Sequence, residues 1–350
     1  MRKLKIAALA IGVALSLTAC DPPMPASLLV EIAEQTVQCE TGEVTVAVPT
    51  AAQDLGPIWQ DAMTAACGDM SFSQLAFDQS ADILISGDGS ERCEAFARVP
   101  FSVDAAVFAV NVADGAAINL DAATIRGILD GSITNWSDPA IAAINPDYEL
   151  PGTKISLVKQ ASAADIKAIT EWMKTLGEEF PAGSLTASTV DPQSTLAELG
   201  DGAIALVPHS EALLYGSVMA SMVVGSDVYA DVVVPGLDTI TSAATQWVVS
   251  SDETAVSVKL DPSIAPTPPE GSDEAPLPYQ AIYPIQLQLC GQDNILSRTI
   301  GRFFLRLDQQ GVLATSTMVP LNEDLRLAAI EIVGKGLPTP TPTATEPAAN

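Results

Sequence analysis

Three things are scarce in this chain. Aromatic residues make up 5% of its 350 positions, Lys and Arg number 16 against 43 Asp and Glu, and His209 is the one histidine. The shortage of positive charge leaves a formal net charge of −27 and excludes nucleic-acid binding, which needs a basic face. The same charge favours solubility and gives a dissolved anion no long-range steering. A lone histidine without a nucleophile and an acid at motif spacing makes no hydrolytic triad, and His209 reads as a rim or core residue. No P-loop, dinucleotide fingerprint or zinc-ligand spacing is present, so no catalytic residue, metal or cofactor is expected, and the chain is not read as an enzyme. Beyond the N-terminus no apolar run reaches transmembrane length without a charge or a breaker.

What is present begins with a targeting segment. Arg2, Lys3 and Lys5 precede an apolar run from Ile6 to Leu17, and Leu17-Thr18-Ala19-Cys20 has the form of a lipobox. Residues 1–19 are therefore expected to be a lipoprotein signal peptide, with Cys20 the lipidated residue. The chain would be exported and anchored on the outer face of the bacterial cytoplasmic membrane, on its periplasmic or extracellular side. Residues 20–40 read as a spacer, and 334–350 as a disordered Pro/Thr tail of polyproline type. Cys39, Cys67, Cys93 and Cys290 remain, and in an exported chain they favour disulfides. Three pairings are open, and the sequence does not choose among them; Cys39–Cys67 with Cys93–Cys290 is the pairing adopted.

Hydrophobic residues make up 48% of the chain, and Ala, Val, Ile and Leu dominate them. That suits an α/β protein with buried strands. Strands are expected at 43–48, 70–75, 82–86, 105–111, 155–158, 203–207 and 282–289. Helices are expected at 55–66, 120–130, 139–144, 163–176, 239–249, 297–308 and 322–333. The alternation implies a mostly parallel sheet. Residues 261–278 hold Pro, Gly and acids without an apolar period and read as a loose insertion.

Residues 128–158, ILDGSITNWSDPAIAAINPDYELPGTKISLV, carry Gly, Trp, Asp-Pro, Asn-Pro and Leu-Pro in a run that closes on a strand. This run resembles the PstS phosphate-binding proteins of bacterial phosphate ABC transporters. Further stretches resemble the same family: 202–212, Val234-Pro235 with Ala243-Ala244, Tyr283-Pro284-Ile285, and Met318-Val319-Pro320-Leu321. The resemblance implies a type II periplasmic-binding-protein fold, two α/β lobes joined by two crossover strands near 105–111 and 283–288. Lobe I would comprise 41–108 plus 284–333, and lobe II 109–283 with the insertion. All four non-lipid cysteines then fall in lobe I, consistent with disulfides inside that lobe. The implied function is capture of a small solute between the lobes, phosphate in the family, for an ABC permease, by a protein that acts as a monomer.

The residues that match the family's anion loops depart from its pattern. Thr50 sits on the family's first-loop Thr, and Ala51 on its Phe. The Gly-Ser-Gly turn of the second loop has no counterpart, and Asp88, after an extra Gly87, matches the ligand Asp. Lys159 replaces an Arg and lacks its bidentate fork. Ala163, Ala164 and Asp165 replace Ser, Gly and Thr, while Ser162-x-x-Asp165 has the form of a helix cap. An ionised carboxylate ~4 Å from a bound anion costs roughly 4 kcal/mol at an effective dielectric near 20. Asp165 therefore either opposes phosphate, caps its own helix, or pairs with Lys159. Two alternatives to phosphate capture follow: a degenerate family member serving as a surface interaction or scaffold protein, or a binder of a different, non-phosphate solute.

Overall fold

A computed structural model describes residues 37–338 except 88–91, 113–116, 189–191, 198, 226–229 and 270. The expected signal segment with Cys20, the expected spacer up to residue 36, the tail from 339 and Asp88 lie outside the described residues.

Strands and helices alternate to build an α/β protein around an eight-stranded sheet. The strand order is Met70–Leu75, Gly42–Ala47, Ile83–Ser86, Ile282–Cys290, Ala95–Asn111, Ala203–Pro208, Ser156–Leu157, and Val319–Pro320 pairs with Ala95–Asn111 off this path. Gly42–Ala47 is parallel to both its neighbours, and Ser156–Leu157 is parallel to Ala203–Pro208. The two middle strands run antiparallel to all of theirs. The sheet is thus mixed and not mostly parallel. A chain that leaves one section of a sheet and returns to it beside its exit must run in opposite directions on the two passes.

Ala95–Asn111 is the spine of the molecule. Its first part, Ala95 to Ala105, pairs with Ile282–Cys290, and its last part, Ala106 to Asn111, pairs with Ala203–Pro208. Every residue from Val99 to Val110 is buried, as expected for a strand covered on both faces. The strand starts ten residues before the apolar run at 105–111, because Arg98, Pro100, Ser102 and Asp104 break the apolar pattern without breaking the strand.

Two expected helices end earlier than their apolar spacing suggests. Leu237–Ala244 is helical, but Trp247–Ser251 forms a hairpin with Val256–Leu260, where the β-branched Val248 and Val249 suit a pleated strand. The helix expected at 297–308 is two helices, Ile295–Phe304 and Leu307–Leu313. Between them Arg306 is extended (φ −61°, ψ 150°), and its guanidinium forks onto Asp308 at 2.9 and 3.1 Å.

Other local signals act as their chemistry predicts. Asp121 caps Ala122–Asp130 by accepting from the Thr124 amide at 2.7 Å, and Gly131 stops that helix at φ +79°. Trp59 and Trp136 are core residues. The Trp59 ring meets Phe101 and Phe304 edge-on, with centroids at 5.9 and 5.1 Å, and the Trp136 indole donates to the Gly202 carbonyl at 3.0 Å. Cys39 bonds to Cys67 and Cys93 to Cys290, with Cα–Cα distances of 5.3 and 5.7 Å, which is the pairing adopted from sequence. No helix among the described residues is long and apolar enough to cross a membrane.

Candidate functional site

A cavity of about 80 Å³ lies where the long strand changes partner. Thr50, Ser86, Asp104, Asp165, Glu211 and Tyr283 are among the residues that line it. They come from six separate elements. Asp104 is at the partner change in Ala95–Asn111, and Tyr283 is on the returning strand. Asp165 is in the first turn of helix Ala163–Thr175, and Glu211 in that of His209–Leu214. Thr50 begins a 3-10 turn, Thr50–Leu55, and Ser86 ends the strand Ile83–Ser86. By the measure in which about 10–15 Å³ admits one water, the cavity holds several waters or one small solute.

Several of the hydrogen-bond donors around it are committed to its own carboxylates. Asp104 accepts from the Ala105 amide at 2.8 Å, the Ser210 amide at 3.1 Å and the Ser210 hydroxyl at 2.5 Å, and also from the His209 amide. Glu211 Oε1 accepts from the Ala51 amide at 3.0 Å. Asp165 Oδ2 accepts from the Ser162 hydroxyl at 2.7 Å, and the Tyr283 hydroxyl also bonds to the Asp165 carboxyl. The Ser162 oxygen in turn accepts the Asp165 amide at 3.0 Å, so the helix caps itself. Asp165 Oδ1 is left buried without a protein partner.

All three acids are nearly sealed from water: Asp165 is 0% exposed, and Asp104 and Glu211 are each 3%. Among the described residues, no Lys or Arg lines the cavity. Burial without a counter-cation disfavours the charged form. It pushes the Asp104 carboxyl up to about 6 and the Asp165 carboxyl up to about 7, against the opposing pull of their hydrogen bonds. The same burial drives the Tyr283 hydroxyl well above the usual phenol range, helped by the Asp165 and Asp104 charges. His209, 1% exposed, is lowered to about 4 by burial and is neutral near pH 7.

The residues singled out from sequence are scattered by this geometry. Thr50, Ser162 and Asp165 line the cavity; Ala51 does not, but its amide donates to Glu211, which does. Lys159 is exposed and does not line it; Asp165 takes its bonds from Ser162 and Tyr283 in place of the Lys159 pairing considered above. Ala163 and Ala164 border a different, broader groove of about 720 Å³, along with Lys167, Lys174 and Lys259. Sequence reasoning missed Asp104, Ser210 and Glu211. The available signal was an acid inside or beside a run otherwise fit for a buried strand: VDAAVFAV for Asp104 and ALVPHSEA for Glu211.

A family model for the PBP superfamily domain matches residues 60–283. The chain belongs to the PBP superfamily. Within it, the phosphate-binding protein PstS3 of Mycobacterium bovis is 34% identical over 83 residues, 21% of this chain and 22% of that relative. PstS2 of the same organism is 31% identical over 105 residues, 27% of this chain and 28% of that relative. The chain thus spans only about a quarter of the length of these curated relatives. Two solved structures have the same fold. A candidate phosphate ABC transporter substrate-binding protein from Clostridium perfringens, with bound phosphate, superposes with a TM-score of 0.52 at 13% identity, covering 80% of this chain and all of that one. An ancestral soluble variant of the human phosphate binding protein gives a TM-score of 0.52 at 13% identity, covering 82% of this chain and 93% of that one. The architecture is the type II periplasmic-binding fold, with its two sections joined through the long strand and the returning strand.

Proposed function

We propose that this chain is an extracytoplasmic, PstS-like solute-binding protein that holds a small solute in the cavity at the partner change and passes it to an ABC-type permease. The observation that carries this reading is the position of the cavity. It lies at the two strands that join the sections of the sheet, Ala95–Asn111 at Asp104–Ala106 and the return at Ala281–Ile282. Lobes of 41–108 plus 284–333 and 109–283 would hinge there, with 261–278 as a surface insertion on the second. The chain would work as a monomer, tethered through lipid on Cys20. The relatives are named for phosphate, but the cavity suits phosphate poorly: several of its donors serve its own carboxylates, and those carboxylates repel an anion.

A second reading is favoured by that same internal bonding. A member that has lost solute capture, and acts as a surface interaction protein, would satisfy its old anion loops with its own side chains. A thermal-shift panel of small anions, amines, polyols and amino acids separates the two. The solute-binding reading predicts at least one stabilising compound, with its effect lost in Thr195→Trp, which fills the half-buried rim of the cavity. No stabilising compound across the panel would leave the interaction reading standing.

A further inference from the structure

We infer that the solute held in this cavity is a small amine, its ammonium group taken by Asp165 and balanced by Asp104 and Glu211. The inference rests on the reading of the cavity as a solute site and names the chemical class of that solute.

Three independent observations point the same way. The first is charge. Three carboxyls line the cavity, no Lys or Arg among the described residues lines it, and the buried His209 is neutral near pH 7. Buried ionised carboxylates need a cation, and for Asp104 and Asp165 a ligand can bring it. The second is the count of donors and acceptors. The amides of Ala51, Ala105 and Ser210 and the hydroxyls of Ser162, Ser210 and Tyr283 are spent on the acids. Donors already spent on the acids are closed to a ligand that brings acceptors, whereas an ammonium is a donor with no acceptor. The third is Asp165 itself: it is 0% exposed and lines the cavity, yet its Oδ1 has no protein partner. Buried polar atoms in native proteins are almost always paired, so an orphan carboxylate oxygen at a cavity wall marks a missing donor.

Rival occupants fit less well. An oxyanion brings acceptors and negative charge to a site already rich in both. A neutral polyol brings as many acceptors as donors and leaves the charge unbalanced. Among the described residues, no three His, Cys, Asp or Glu side chains are grouped to hold a metal ion. The volume of about 80 Å³ limits the enclosed part to an ammonium and a few carbons.

The pH dependence follows from the neighbours of Asp165 on each element around it. These are Ser162 on its own helix, Tyr283 and Tyr279 on the return segment, and Asp104 on the long strand; Glu211 faces Tyr283. Burial keeps the Asp165 carboxyl protonated up to about pH 7 in the empty cavity. An ammonium binds the ionised form, so binding displaces a proton and weakens as pH falls.

Isothermal titration calorimetry on the full chain tests this with methylamine, ethanolamine and putrescine, against inorganic phosphate and glycerol. At pH 8 at least one amine should bind, and its affinity should fall at least tenfold by pH 5.5. Near pH 6.5, buffers of different ionisation enthalpy should report proton release on binding. Asp165→Asn should weaken the amine at least tenfold, and Thr195→Trp provides a second block should the first variant fold poorly. The amine inference is overturned by three results: no amine binding, amine binding indifferent to pH, or amine binding unchanged in both variants. Phosphate or glycerol binding that Thr195→Trp abolishes would overturn the amine alone and leave the solute-binding reading intact. Loss of the solute-binding reading would instead show as silence across the whole thermal-shift panel.

Discussion

Asp104 and Asp165 are acids held where water cannot stabilise their charge, and that has a consequence for stability. Their carboxyls sit at about 6 and about 7 in the folded chain against 3.8 unfolded. The native state therefore binds protons more tightly than the unfolded one. Their contribution is fully present below about pH 4 and is lost as pH rises through about 6 to 7. Each tenfold difference in proton affinity is worth about 1.4 kcal/mol, so the two acids together change stability by up to roughly 7 kcal/mol. Buried His209, lowered to about 4, works the other way up to about pH 6.5 and offsets part of this change, so urea denaturation of the ligand-free protein should show a smaller net fall in stability between about pH 4.5 and pH 7.5. Asp165→Asn should remove the upper part of that slope, and an unchanged slope would contradict the buried, unpaired placement. Sequence patterns reached Asp165 through its cap spacing with Ser162. They could not reach Asp104 or Glu211, because the bonds that define those acids come from residues 106 and 160 positions away.

At the scale of single elements, two short features hold the site. The Ser162 cap starts helix Ala163–Thr175 and also serves Asp165. Ser162→Ala should cost about 1 kcal/mol as a lost N-cap. It should also push the Asp165 carboxyl further up, because a bond that favours its charged form is gone. Carboxyl titration by carbon-13 NMR would register that shift. Gly202 precedes strand Ala203–Pro208 with φ +74°, and a Cβ there would lie 2.5 Å from the Lys154 carbonyl oxygen. Gly202→Ala combines that clash with a left-handed backbone, and a loss of roughly 1–3 kcal/mol is expected in chemical denaturation. Most elements were readable from caps, stops and apolar spacing. The exceptions include the long strand and the Trp247–Ser251 strand, decided by sheet pairing, and the helix broken at Arg306, where Arg306 forks onto Asp308.

For the whole molecule, the connection through Ala95–Asn111 and Ile282–Cys290 matters most. Cys93–Cys290 staples these strands at one end, where Cys290 opposes Ala95, and closes a sequence separation of 197 residues. Removing it by Cys93→Ala with Cys290→Ala should cost about 2–5 kcal/mol, seen as a lower urea midpoint. The fold was legible because the 128–158 run and its companions are spread along the chain, and the family match at 60–283 agrees with them. The chemistry of the cavity was not legible, since six elements meet there and only the fold brings their side chains together. The proposal that this acid-lined cavity holds a solute other than phosphate stands or falls on one measurement. Calorimetry with inorganic phosphate at pH 7.5 on the full-length protein tests it most directly. The account predicts no measurable binding at millimolar phosphate, and micromolar or tighter binding at the cavity would contradict it.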